Sequence, residues 1–177
     1  MIVAHAKKLL SSPRTVFSGV AAISALSLAA ALTAEVAFDL EPCILCVYQR
    51  IPFVLALIVS LLALFLRKKL NDITIASLAG LCSLIFLANS GIAFFHSGVE
   101  RHWWKSPFEG CAVPPLGDDV QTMLENILSA PTGSCDEIPW ADPILGLSMA
   151  NYNVLLCFAL SGICLLAMQT LRQSPSR

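Results

Sequence analysis

Two cysteines separated by two residues form the part of this sequence that is best suited to chemistry. Cys43 and Cys46 follow Pro42, and because proline is favoured in the first turn of a helix, we expect the pair at a helix N-terminus. Free backbone N–H groups and the helix dipole lower the pKa of a thiol there. Arg50 lies on the same helical face, where its charge would favour a thiolate. The alternative is an interfacial arginine that binds lipid headgroups.

A Cys-x-x-Cys sequence is compatible with a redox pair, half of a zinc site or two incidental residues. Cys111 and Cys135 offer two more thiols, but 23 residues separate them, which is too loose a spacing for a zinc knuckle. We therefore predict that the motif is redox-active and binds no metal, with static disulfide staples as the alternative. The other cysteines lie inside apolar runs and are expected to pack as small hydrophobic residues: Cys82, Cys157 and Cys164.

The composition indicates that these residues sit on membrane-spanning elements. Hydrophobic residues make up 56% of the 177 residues and charged residues only 13%, whereas a soluble domain has about a quarter charged residues. Crossing a bilayer takes about 20 apolar residues, and four runs reach that length. We predict an all-α membrane protein, a four-transmembrane-helix bundle that forms one domain over 1–177. The spans are expected at about 16–36, 44–66, 73–95 and 147–169.

Two further classes are excluded at this stage. The first apolar run is longer than the core of a signal peptide, about 7–15 residues, so we expect a retained helix. The net charge of −1 leaves no basic surface for nucleic acid.

The basic residues divide the loops between the two sides of the membrane. Eight of the eleven lie before span 1, between spans 2 and 3, or after span 4: Lys7, Lys8, Arg14, Arg67, Lys68, Lys69, Arg172 and Arg177. The positive-inside rule therefore places both termini in the cytoplasm. The loops at about 36–47 and 96–145 then face outward, where disulfides persist. Residues 120–128 have the spacing of a short amphipathic helix, which we expect to lie on the membrane surface.

A disulfide that oxidises other proteins must pass its electrons onward, and this chain has no room for a flavin domain or a haem motif. A quinone dissolved in the membrane fits, because its headgroup reaches the membrane surface where Cys43 and Cys46 are expected. Arg50 could hydrogen-bond a quinone carbonyl and stabilise negative charge on it. His96 is expected at the same level, either as a quinone contact or as an interfacial histidine. Glu100 is expected to be a solvated loop acid.

Several segments resemble one family. Residues 42–50 read Pro-Cys-Ile-Leu-Cys-Val-Tyr-Gln-Arg, which is similar to the signature of the DsbB family, the membrane proteins that reoxidise the periplasmic thiol oxidase DsbA. Segments 95–100, 107–111 and 133–149 resemble the family's segment after helix 3, its first loop cysteine, and its second loop cysteine with the entry to helix 4. A departure is Gln49, which stands where an acidic residue is common.

The resemblance implies a protein dithiol:quinone oxidoreductase of the bacterial inner membrane, with its active cysteines in the periplasm. A Cys111–Cys135 disulfide would accept electrons from a DsbA-like thioredoxin-fold partner through a mixed disulfide at Cys111. The electrons would pass to the Cys43–Cys46 disulfide and from the Cys46 thiolate to ubiquinone or menaquinone, bound near Arg50 and His96. The alternatives are a vitamin-K-epoxide-reductase-like enzyme, whose Cys-x-x-Cys follows the loop pair, and a non-catalytic protein stapled by disulfides.

Overall fold

The computed structural model describes residues 9–107 and 133–173, and these confirm the predicted four-helix membrane architecture. The helices are α1 (Pro13–Phe38), α2 (Ile44–Leu66), α3 (Asp72–Glu100) and α4 (Met149–Gln173). Each is long and apolar enough to cross a membrane. Within the described residues there is no strand, only an isolated bridge between Ala141 and Ser148. The predicted surface helix at 120–128 lies outside the described residues.

Local sequence sets where these helices begin. Pro13 occupies the first position of α1, where its missing N–H costs nothing. The N-cap of α3 is Asn71, whose side chain accepts a hydrogen bond from the Thr74 N–H at 2.7 Å. The N-cap of α2 is Cys43, whose sulfur accepts from the Cys46 N–H. The first cysteine of the motif therefore caps a helix, so its sulfur lies against free N–H groups.

The end of α3 differs from the expected end of span 3 at position 95. The helix continues to Glu100, so residues 96–100 belong to α3 and the loop begins at 101. Beyond this point the chain folds back, and the Trp104 ring stacks on Phe95 with ring centroids 5.9 Å apart. Gly98 makes this possible, because a Cβ there would lie 2.0 Å from the Trp104 ring. The helix extension carries His96 and Glu100 into the bundle.

The helices pack on one another through small side chains. The core includes Ala56, Ala76, Ala79 and the three cysteines of the apolar runs, and small residues allow membrane helices to approach closely. Helix α3 packs extensively on α4, α1 on α2, and α2 on α3, whereas α1 contacts α4 only sparsely. A cleft therefore remains between α1 and α4 near the end of the bundle that carries Cys43.

Candidate functional site

The two thiols of the motif lie side by side at the start of α2. Both are free cysteines, and their sulfurs are 2.9 Å apart, within hydrogen-bonding distance. The Cys43 sulfur also accepts a hydrogen bond from the Cys46 backbone N–H at 3.3 Å. Cys43 is 3% exposed, while Cys46 is partly exposed. The site is therefore a dithiol whose two sulfurs share one hydrogen bond, and the Cys43 sulfur also accepts the Cys46 backbone N–H.

This geometry makes Cys43 acidic. The pKa of Cys43 is lowered from 9.0 to about 4, chiefly by the thiol hydrogen bond from Cys46 and then, against the opposing effect of burial, by hydrogen bonds from His96 and the Cys46 backbone N–H. At neutral pH the dithiol form thus carries a thiolate on Cys43. The thiolate is the nucleophile in disulfide exchange, so Cys43 is prepared to attack or to bond with another sulfur.

His96 faces this thiolate from α3. Its Nε2 atom is 3.5 Å from the Cys43 sulfur and its ring is buried. The opposite ring nitrogen, Nδ1, lies 2.8 Å from the Gln49 side-chain nitrogen. Of the two interpretations of His96 as a quinone contact or an interfacial residue, neither includes this contact with a thiol.

Glu100 is not the solvated loop acid that we expected. It is 5% exposed, its carboxylate accepts a hydrogen bond from the Ser148 hydroxyl, and it lies 3.8 Å from His96 Nε2. The expectation was wrong because the charge-free run ends at 95, which suggested that the helix ends there too. The helix continues, and an i, i+4 spacing then places Glu100 beside His96.

Arg50 lies in the same region but pairs with an acid rather than with the thiols. Its Nη1 atom is 2.8 Å from Glu35 Oε2 on α1. The groups that shift the pKa of Cys43 are Cys46 and His96, so the expected effect of the Arg50 charge on this thiol is not found. Arg50 instead connects α2 to α1 through this ion pair.

Cys135 lies against the start of α2. It packs in one buried cluster with Cys43, Leu45 and Val99, and it is disulfide-bonded. None of the five other described cysteines is its partner, because all five are free. Cys111, the partner that the family resemblance implies, lies outside the described residues.

A glycine allows this close approach of two loops. A Cβ at Gly133 would lie 2.7 Å from the Glu41 carbonyl oxygen and 2.8 Å from the Cys43 backbone nitrogen. Backbone atoms cannot move aside as a flexible side chain would, so position 133 requires glycine. The contact holds the segment that carries Cys135 against the segment that carries Cys43.

A cavity of about 530 Å³ opens in the cleft between α1 and α4. Both thiols, Arg50, His96 and Glu100 line it, together with apolar residues of α1 and α4. Its volume is in the range of small-molecule sites, and an apolar lining with a few polar groups is typical of them. The combination of a dithiol and an arginine in one cleft suits a neutral, partly apolar electron acceptor.

The same three side chains also have the composition of a metal site. The ligand atoms of Cys43, Cys46 and His96 lie within 4.8 Å of one another. Two thiolates bound to Zn²⁺ at about 2.3 Å in a tetrahedron would be about 3.8 Å apart, whereas these sulfurs are 2.9 Å apart. The two sulfurs are therefore closer together than two thiolates on a tetrahedral Zn²⁺ would be.

Comparison with known proteins assigns the chain to a family. The family model described as "Disulfide bond formation protein DsbB" matches residues 13–167. The chain belongs to the DsbB family. Membership agrees with the four membrane-spanning helices and makes the chain a multi-pass membrane protein of disulfide bond formation. No solved structure matches the chain.

Individual relatives agree with this assignment. A disulfide bond formation protein B from Methylococcus capsulatus is 35% identical over 84% of this chain and 89% of its own length. Another, from Shewanella frigidimarina, is 32% identical over 85% of this chain and 86% of its own. An uncharacterized protein RP370 from Rickettsia prowazekii is 36% identical over 81% of this chain and 78% of its own.

Sequence reasoning missed one central residue of this DsbB-family site. The sequence marks Gln49 only as a departure from the family pattern, yet its side chain is buried and bonded to His96 and Asn153. A signal was available in its position, because residue 49 is three residues after Cys46 and therefore shares a helix face with it. Its partners are 47 and 104 residues away, and no local pattern identifies them.

Proposed function

We propose that this chain is a thiol:quinone oxidoreductase that reoxidises a DsbA-like periplasmic partner. The observation that carries the proposal is the position of the Cys43–Cys46 dithiol in a cavity that also holds Arg50. A dithiol alone could exchange with any disulfide. A dithiol beside an arginine, in a cleft between membrane-spanning helices, suits electron transfer to an acceptor that is dissolved in the lipid.

The overall reaction balances without any other reactant. When Cys43 and Cys46 form their disulfide, the two thiols lose two electrons and two protons. The acceptor that we propose, ubiquinone or menaquinone, takes up both and leaves as the quinol. Only Nη1 of the Arg50 guanidinium contacts Glu35, and the group has five N–H donors. Arg50 can therefore hydrogen-bond a quinone carbonyl while it remains paired with Glu35.

Electrons would reach this pair from the second loop. In the proposed exchange, a Cys135 thiolate attacks the Cys43 sulfur of the Cys43–Cys46 disulfide, so a Cys43–Cys135 bond forms and Cys46 leaves as a thiolate. Packing of Cys135 and Cys43 in one buried cluster supports this step. The family resemblance supplies the preceding step, in which Cys111 forms a mixed disulfide with the partner.

We also propose that the four cysteines face the periplasm and both termini the cytoplasm, in the inner membrane of a bacterium. Arg67, Lys68 and Lys69 follow α2 at the end opposite to Cys43. Clustered basic residues mark the cytoplasmic side. The N-terminus of α2, with its thiols, then lies on the other side, where disulfides are stable.

Turnover by purified protein tests the proposal. Reduced DsbA and a short-chain ubiquinone analogue are added, and quinone reduction is followed by absorbance. We expect quinone reduction that depends on DsbA, and its loss in Cys46→Ser. Cys82→Ser is the matched control, because Cys82 lies on α3 about 21 Å along the helix from His96 and beside the Ser60 hydroxyl.

Three results would overturn the proposal. Cys46→Ser turning over at the wild-type rate would mean that the dithiol is not the donor. Failure of the wild type to oxidise DsbA with any quinone would favour a stapled, non-catalytic protein. Consumption of quinol with reduction of oxidised DsbA, without the forward reaction, would favour the reductase alternative.

A further inference from the structure

The orientation of the Gln49 amide is set by neighbouring atoms that can only donate or only accept a hydrogen bond. Its side-chain nitrogen donates to the Leu45 carbonyl oxygen at 3.2 Å, and a backbone carbonyl is only an acceptor. Its side-chain oxygen accepts from the Asn153 nitrogen at 2.6 Å. The nitrogen, and not the oxygen, therefore faces Nδ1 of His96 at 2.8 Å.

A second chain of contacts orients Asn153 in turn. The Cys157 thiol donates to the Asn153 side-chain oxygen at 3.1 Å, and the Asn89 nitrogen donates to the Cys157 sulfur at 3.3 Å. The same Asn89 nitrogen donates to the Gln49 backbone carbonyl at 3.2 Å, which excludes the flipped Asn89 amide. The hydrogen bonds therefore form one chain, which runs from Asn89 on α3 through Cys157 and Asn153 on α4 to Gln49 on α2 and ends at His96.

From this directed chain we infer that Gln49 holds His96 in the neutral tautomer that carries its proton on Nε2. A proton on Nδ1 would place an N–H against the N–H of Gln49, and neither group could accept. The Nε2–H then points to the Cys43 sulfur, 3.5 Å away. Gln49 is thus a positioning residue for the dithiol chemistry, and this inference rests on the proposed function.

The charged groups around His96 explain why its tautomer matters. Glu100 on its own helix lies 3.8 Å from Nε2, and Cys43 on α2 lies on the same side. Ser148, which precedes α4, and Asn153 of α4 are neutral, and Arg50 of α2 is paired with Glu35 of α1. A single Nε2–H therefore faces both the Cys43 sulfur and the Glu100 carboxyl group, and with the opposite tautomer the Cys43 sulfur would have no donor from the histidine.

Nitrogen NMR of the reduced protein, without quinone or DsbA, tests the inference directly. The chain has three histidines, and the His96→Asn variant assigns the His96 signals. At neutral pH we expect Nδ1 of His96 at the shift of an unprotonated ring nitrogen and Nε2 at that of a protonated one. Gln49→Glu presents only acceptor oxygens, so Nδ1 should move to the protonated shift.

A second variant tests the chain without touching the histidine. Asn153→Asp replaces the donor to the Gln49 oxygen with a carboxylate, and a charge-assisted hydrogen bond from the Gln49 nitrogen to that carboxylate is stronger than the neutral one to Leu45. The Gln49 amide should therefore turn over and present its oxygen to His96, with the same movement of the Nδ1 shift. Asn151→Asp is the matched control, since Asn151 also lies on α4 but bonds to Ser97. We expect its Nδ1 signal to stay at the wild-type position.

The inference is overturned if wild-type Nδ1 is protonated or if Gln49→Glu leaves its shift unchanged. It is also overturned if Asn153→Asp behaves like Asn151→Asp. None of these results bears on whether the protein reduces quinone, so failure of this inference and failure of the proposed function remain distinguishable.

Discussion

The acidity of Cys43 can be separated from the redox function of its neighbour by two substitutions at position 46. The largest contribution to the low pKa of Cys43 is the thiol hydrogen bond from Cys46, at a sulfur–sulfur distance of 2.9 Å. Cys46→Ala removes this donor, whereas Cys46→Ser replaces it with a hydroxyl donor. Both variants lack the second sulfur, so neither can form the Cys43–Cys46 disulfide.

The size of the effect follows from the contacts that remain. A hydrogen bond to a charged acceptor contributes about 1.5–3 kcal/mol, and one pKa unit corresponds to about 1.4 kcal/mol. Cys46→Ala should therefore raise the pKa of Cys43 by about one to two units. The pKa should stay below 9.0, because the backbone N–H of residue 46 and His96 Nε2 still donate. Cys46→Ser should leave it near the wild-type value.

The assay is the ultraviolet absorbance of the thiolate of the reduced protein, recorded against pH and corrected with a Cys43→Ala counterpart. Because the pKa of Cys43 is depressed, the contacts of its thiolate contribute fully to the stability of the reduced protein above pH 9.0. This contribution is lost as the pH falls toward about 4. Coincident titration curves for Cys46→Ala and Cys46→Ser would refute the reasoning, since the side-chain donor would then have no effect. A wild-type midpoint at the ordinary thiol value would refute it as well.

Two further substitutions test the contacts around the cavity. Gly133→Ala should slow DsbA-driven turnover by on the order of tenfold to a hundredfold, because its Cβ would displace the segment carrying Cys135 from Pro42. Turnover driven by a small dithiol serves as the control, and equal losses with both donors would contradict this. Glu35→Gln should lower the quinone KM up to about fivefold, because the negative charge of Glu35 no longer offsets the Arg50 charge that faces the ligand. The free energy of unfolding should change by less than about 1 kcal/mol, because the ion pair is partly exposed. A rise in KM would instead show that Glu35 positions Arg50.

Local patterns predicted the parts of the structure that depend on neighbouring residues. The bounds of α2 were expected because an apolar run lies between Pro42 and the basic residues that start at Arg67, and the structure places this helix at Ile44–Leu66. The end of α3 could not be predicted in this way. Its last turn is polar because Ser97 faces Asn151 of α4 and Glu100 faces Ser148 just before α4, and a count of apolar residues cannot detect such partners.

The site residues show the same division. The positions of Cys43 and Cys46 at a helix N-terminus follow from Pro42 and the motif. The role of Gln49 does not, because it depends on a histidine and an asparagine that come from two other helices. The charge of Arg50 was visible, but Glu35, which pairs with it, lies in a run that looks apolar except for this one residue.

The balance of charge in the cavity argues that protons must accompany the electrons to the acceptor. Among the described residues that line it, the acids are Glu41, Glu100 and Glu137, while Arg50 is the only arginine or lysine. The Cys43 thiolate adds negative charge to the same wall. Such charges repel an anion, so a neutral molecule is favoured both on entry and on exit. A quinone and its quinol are both neutral. The site therefore favours the complete transfer of two electrons with two protons, and Arg50 is the one cation that can offset negative charge while that transfer proceeds.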